Sequence, residues 1–558
     1  MTSQSELRAI AERAIQLPRD KQDQFLIRLD ERGFDMSLLP VVPHVANDAS
    51  MPLSFAQKRL YLVERTAGKA LYNLASGLML EGELDVAALG RALDMIVDRH
   101  AILRTVYREN DGVPMQIVLP HTSLALSEST LDSGDIEAQL RERLETLEST
   151  PFALDHELPL RIELYRVADR RWALLWCVHH IAFDAWSEGV LQSELVQIYT
   201  ALARGNAGRL TALPVQYADY AAWEGLWRRS AGFRRQADWW AQALSGVPTT
   251  LELPFDRARP SAQAYRHTGA EARRTLPGAL TRRLYALTGE LIPGRETTLY
   301  TMLQTAFGWL LARYGNTDDL CMASSIANRR RAELEPLIGC LMNTLAIRHR
   351  VSSALTFRQA VINAGETITG AFEHAEVPFE HVLECLEVPR DGSRPPLCQI
   401  LFVLQNVPDA GALALPGVNI TPLTLEQRRA RFDLSLRIAE RREDDHLGLH
   451  LEYSTELFDA ATIERLLEDF EALLEQVCAA PECRFEEVVL RHAAQEFPSP
   501  PPIATAPAAT LLWSQPADAL AVLEGDRAST YGELHAAAAS LAAVLDRAGV
   551  VAGAHVAL

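Results

Sequence analysis

Paired cysteines, long apolar runs and a basic surplus are all missing from this 558-residue sequence. Its seven cysteines, Cys177, Cys321, Cys340, Cys385, Cys398, Cys478 and Cys483, are odd in number and include no CxxC. Buried reduced thiols, and no disulfide framework, are expected. No stretch approaches the ~18 uninterrupted apolar residues of a spanning helix. The opening MTSQSELRAIAERAIQLPRDKQ has no apolar core of a signal peptide, so a cytoplasmic protein without membrane contact is expected. Acidic residues outnumber basic ones, 73 to 54, for a formal net charge of −19. That balance argues against nucleic acid and against an anionic membrane surface. HExxH and GxSxG patterns and a glycine-rich phosphate loop are also absent, so no metal site, serine nucleophile or ATP site is expected.

What is present fits a large globular chain of three or four units, 48% hydrophobic and 23% charged. Residues 3–35 read as two amphipathic helices broken at Leu17-Pro18, and 41–52 as a loop. Strand patterns such as GLMLEGELD and MQIVL then mix with helical ones such as DVAALGRALDMIVDRH, which implies an α/β or α+β sandwich. WALLWCV (172–178) has the nearly continuous apolar character of a central strand covered on both faces. The aromatic stretch 215–245 reads as helical, and a second mixed core runs to about residue 490. The Pro- and Ala-rich residues 494–517 read as a linker, and the last ~40 residues open a strand–turn–helix pattern too short to close a core. The expected units are 1–48 (helical linker or docking segment), 49–224 and 225–493 (two lobes), 494–517 (linker) and 518–558 (an incomplete further domain).

The sharpest local feature is Cys177-Val178-His179-His180-Ile181-Ala182-Phe183-Asp184-Ala185-Trp186-Ser187. Adjacent strand residues face opposite ways, so the two imidazoles are expected to have different tasks, one towards a cavity and one inward. A histidine at a strand end beside a carboxylate can be held in one tautomer for acid–base work. Taken alone, the stretch reads sooner as structural, two half-buried histidines with Asp184 capping a helix that starts at Ala185, than as catalytic.

Six further segments bear on that choice. SFAQKRLYL (54–62), RHAILRTVY (99–107), HHIAFDAWS (179–187), YADYAAW (217–223), IGCLMNTLAIR (338–348), HAEVPFE (374–380) and RDGSRPPL (390–397) resemble, in order, the seven motifs of nonribosomal peptide synthetase condensation domains. These belong to the wider chloramphenicol-acetyltransferase-like superfamily. STYGEL in the tail resembles the opening of an adenylation domain. The resemblance implies an α/β (α+β) fold of two acetyltransferase-like lobes, a V-shaped pseudo-dimer with a central tunnel. It implies donor and acceptor peptidyl carrier domains docking at opposite mouths, each delivering a substrate on a phosphopantetheine arm, and a downstream adenylation domain. No cofactor would be bound covalently. His180 would be the catalytic residue in the tunnel and His179 structural. Asp184 would form an interior ion pair with Arg329, Trp186 would flank the loop, and Asn343 would hold the second lobe near the site or serve as a turn residue.

The implied reaction is amide formation by attack of an amine on a thioester. With Met1 as the start, no carrier precedes the condensation domain, and the donor is expected from another protein or as a free or CoA-linked starter acyl group. One position departs from the motif: its glycine is Ala185. Ala would strain the loop at positive φ but suits a first helical residue. The alternatives are a catalytically inactive, condensation-like platform recruiting a tailoring partner, and a CoA-dependent starter acyltransferase.

Overall fold

The computed structural model describes residues 4–44, 50–67, 70–120, 123–124, 126, 128–131, 134–291, 297–389, 392–405, 415–423, 429–441, 446–492, 515–524 and 527–547. Four expectations lie partly outside them: the loop at 45–49, Arg390 and Asp391 of the last motif, the linker at 494–514 and the tail beyond 547. The chain divides into two compact units, Met1–His492 and Ala493–Leu558.

The larger unit is a mixed α/β structure built on two main sheets. The five-stranded sheet runs in the order Val418–Pro422, Asn73–Gly82, Arg171–His179, Leu160–Ala168 and Glu128–Thr130. The apolar segment 172–178 is its central strand, buried throughout because it has a paired strand on each side and cover on both faces. The six-stranded sheet runs Asn343–Arg350, Asp319–Ile326, Ile400–Gln405, Leu434–Arg441, His446–Ser454 and Gly269–Thr275. A small third sheet joins Ser50–Pro52, Val113–Val118 and Thr105–Asn110.

The expected boundary at 224/225 falls inside the helix Tyr217–Trp227, which has neither proline nor a left-handed residue to end it there. In addition, Val418–Pro422 from the second half pairs antiparallel with Asn73–Gly82 of the first, Val418 opposite Gly82. An exposed sheet edge is thereby covered.

The first residues belong to the same core. Pro18 separates the helices Gln4–Gln16 and Arg19–Glu31, where a missing N–H costs nothing. Ala14, Ile15, Leu26 and Leu39 are buried against the aromatic helix, and Trp223 Nε1 donates to Leu39 O at 3.2 Å. Val41 N donates to Glu333 Oε1 at 2.8 Å, tying the segment to the second half.

The smaller unit contains an antiparallel pair, Leu520–Glu524 with Arg527–Thr530, followed by the helix Tyr531–Arg547. Among the described residues no helix is long and apolar enough to cross a membrane. Five of the free cysteines are buried, Cys483 is half-buried and Cys385 is exposed.

Candidate active site around two histidines

His179 ends the central strand and His180 begins the 3-10 turn His180–Ala182. The strand's alternation sends the two rings apart. His179 is wholly buried, with its ring edge to Phe152 at 5.9 Å. Its Nδ1 accepts from Ile181 N at 3.1 Å, so the proton sits on Nε2, which faces Glu64 Oε2 at 3.5 Å. Those contacts hold the turn.

His180 is oriented differently. Its backbone N–H donates to Tyr72 O at 2.8 Å, and its ring meets Tyr72 edge-on at 6.3 Å. Nδ1 lies 3.6 Å from Cys340 Sγ. Nε2 has no hydrogen-bond partner among the described residues and is not sealed from solvent. Burial first, and the positive charge of Arg431 second, push this imidazole down to about 4. It is neutral at pH 7.

Asp184 caps the helix Ala185–Ala203 through Ser187 N at 2.9 Å. The capping role does not exhaust it. Arg329 donates to both carboxylate oxygens at 2.9 Å, and both side chains are 1% exposed. Oδ2 also accepts from Leu341 N at 3.0 Å and Met342 N at 3.2 Å. Ser187 Oγ donates to Oδ1 at 2.7 Å. The guanidinium further donates to Gly339 O at 3.2 Å and Leu337 O at 3.3 Å. This pair therefore fastens the histidine turn to the 337–342 loop, and that loop carries Cys340 to His180.

Ala185 is the first residue of its helix and has no positive φ, so the motif's missing glycine introduces no strain. Trp186 is 45% exposed; its Nε1 donates to Glu335 O at 2.9 Å and its ring lies 5.6 Å from the Arg329 guanidinium. Asn343 does not reach the histidines. Its Nδ2 donates to Ala375 O at 2.9 Å and Val377 O at 2.7 Å, and its Oδ1 accepts from Phe379 N at 3.1 Å. It clamps the 374–380 motif, whose Glu380 pairs with Arg59 at 2.6 Å. Arg59 in turn donates to Tyr72 Oη at 3.4 Å.

Three contributors carry no signal in the local sequence. Cys340 and Tyr72 touch His180 only because distant segments meet there. Tyr217 opens the YADYAAW motif, but nothing in that motif states what its hydroxyl meets. It is fully buried, its hydroxyl donates to Cys340 O at 2.7 Å, and a Cβ at Gly339 would lie 2.1 Å from its Cδ2. A close approach of this kind tolerates only glycine at 339. Gly339→Ala is expected to cost about 1–3 kcal/mol by overpacking and to slow turnover by moving Cys340. Gly189→Ala, with nothing within 4 Å of its added Cβ at a half-buried helical position, should be neutral or slightly stabilising. Urea unfolding of both variants checks the contrast, and equal midpoints would remove Tyr217 and Gly339 from the scaffold.

The profile of the condensation-domain family matches residues 47–496. The chain belongs to the condensation-domain family. It is 34% identical over 532 residues to one of the linear gramicidin synthase proteins of Brevibacillus parabrevis, covering 92% of this chain and 10% of that protein. Malpinin synthetase of Mortierella alpina is 33% identical over 530 residues, 92% of this chain and 7% of that one. The chain thus spans about a tenth of the length of the curated relatives it matches. Among solved structures, the X-domain from teicoplanin biosynthesis superposes with a TM-score of 0.73 at 29% identity, covering 81% of this chain and all of that one. The same X-domain is also known in a complex with OxyB. The first condensation domain of the calcium-dependent antibiotic synthetase shares the fold, with a TM-score of 0.64 at 20% identity over 79% of this chain and 99% of that one. Condensation domains are acyltransferases that form amide bonds.

Proposed function

We propose that this domain joins a carrier-bound acyl or aminoacyl thioester donor to a carrier-bound amino acid, both presented on phosphopantetheine arms. The observation that carries the reading is His180, a neutral imidazole with an unengaged Nε2 in a chain of the condensation family. The acceptor nitrogen attacks the thioester carbonyl, the C–N bond forms and the C–S bond breaks. For Nε2 to take the amine's proton, Nδ1 must carry its own, directed at Cys340 Sγ. The proton taken by Nε2 then passes to the departing thiolate.

An α-amino group of pKa ~7.7–8.0 is already partly neutral near pH 7.5. His180 therefore has little activation to do before attack; it orients the amine and accepts its proton as the tetrahedral intermediate forms. Asp184 and Arg329 shape the loop, His179 supports the turn, and Asn343 and Trp186 are supporting residues. Residues 518–558 are read as the beginning of an adenylation domain.

A second reading, a platform that recruits a tailoring partner without turnover, is supported by the 29% identity to the X-domain. Intact-mass detection of product on an acceptor carrier separates the two. Donor-loaded and acceptor-loaded carriers should yield the condensed species with the wild type. Carrier binding without product across a range of donors would favour the platform, and product from CoA thioesters alone would indicate a CoA-dependent starter acyltransferase.

A further inference from the structure

The residues 429–433 run from the second half of the molecule past Ala70, Leu71 and Tyr72, the segment that packs on His180, and their position is fixed on both sides. Ala430 is wholly buried and donates to His267 O at 3.0 Å. Asp433 pairs with Arg259, whose Nη1 donates to its Oδ1 at 3.0 Å, and its N–H donates to Gln399 O at 2.9 Å. Between them, Arg431 is exposed and reaches the first half. Its Nη2 donates to Leu71 O at 3.3 Å, and its guanidinium lies 5.2 Å from the Tyr72 ring centre. Tyr72 is the residue that holds the His180 backbone and meets its ring edge-on.

The other charges around His180 are matched. Asp184 on its own turn is neutralised by Arg329 from the facing loop. Arg59, on the other side of Tyr72 at 6.0 Å from the ring centre, is matched by Glu380. His179 faces Glu64. The Cys340 thiol from the 337–342 loop is kept protonated by burial. Arg431 has no carboxylate within ion-pair distance among the described residues. Glu452 is its more distant counter-charge.

We propose that Arg431 is an electrostatic positioning residue. Among the described residues it is a positive charge with no ion-pair partner, set against the Tyr72 ring that packs on His180, and it disfavours a second positive charge there, whether on the imidazole or on the incoming amine. Both reacting partners are then held in their neutral forms, the amine as nucleophile and Nε2 as proton acceptor. The direction agrees with Arg431 being the largest charge lowering the affinity of His180 for a proton. The consequence for turnover rests on the condensation reading; the charge effect on His180 does not.

The test is therefore a titration that needs no turnover. In protein labelled with 13C-histidine, the His180 resonance is assigned by its loss in His180→Gln. Its midpoint should rise by about half a pH unit in Arg431→Gln, the size of one removed unit charge several ångströms away in a partly solvated site. Arg431→Lys should follow the wild type. A midpoint unmoved in Arg431→Gln, or moved equally in Arg431→Lys, overturns the proposal. Single-turnover rates from pH 5 to 9 should show the acidic limb, set there by protonation of the acceptor amine while His180 stays neutral, displaced upward in Arg431→Gln alone. A wild type that titrates as expected but makes no product would count against the condensation reading and leave the charge assignment standing.

Discussion

Asp184→Ala should lower the stability of the larger unit by about 3–5 kcal/mol, because it strands the Arg329 guanidinium in the interior. At 1% exposure that cation has no water to replace the carboxylate, and its remaining partners are carbonyls and one hydroxyl. The helix Ala185–Ala203 loses its cap at the same time, and Leu341 N and Met342 N lose their acceptor. Removing both charges with Asp184→Ala/Arg329→Met should cost less than the two single changes summed, since no buried ion is then left alone. Guanidinium unfolding of the three variants measures this. A single-variant loss below about 1 kcal/mol would mean that water reaches Arg329 and that the pair does not hold the two loops together.

His180→Ala is the second large effect. A positioned acid–base residue contributes typically 10²–10⁴-fold, so the single-turnover rate should fall by that order while carrier binding persists. The fold should survive, because among the described residues the side chain's polar and ring contacts are the 3.6 Å approach to Cys340 and an aromatic edge contact with Tyr72. The loss should be similar at every pH from 6 to 9, since an imidazole held at about 4 is neutral throughout that range. His179→Ala should behave in the opposite way. Its ring is wholly buried and accepts from Ile181 N, so its removal should cost stability first and rate only through the displaced turn. A rate loss confined to His179→Ala would reverse the two assignments.

The partition between sequence and tertiary structure runs through these same residues. WALLWCV reads as a central strand because apolar character on both faces demands cover on both faces, and period-two alternation alone separates the tasks of His179 and His180. Asp184 as a helix cap is equally local, a matter of one side chain and the N–H three residues on. The order of seven motifs points to the family without any coordinates.

The pairing of Asp184 with Arg329 spans 145 positions, and only the family resemblance suggested it. Nothing in a local pattern states that Cys340, Tyr72 and Arg431 converge on one imidazole. Cys340 lies in the fifth motif and the other two in ordinary stretches, and each arrives by a different long-range contact. The same holds for Val418–Pro422, a short strand whose partner lies in the other half of the chain, and for Asn343, which clamps the 375–379 loop instead of reaching the histidines. Local sequence determined which segments form strands and helices and which face each histidine takes, because propensity, capping and alternation act over a few residues. Tertiary structure alone decided the charge and the open face of His180, because burial and Coulomb forces depend on distance in space and not along the chain.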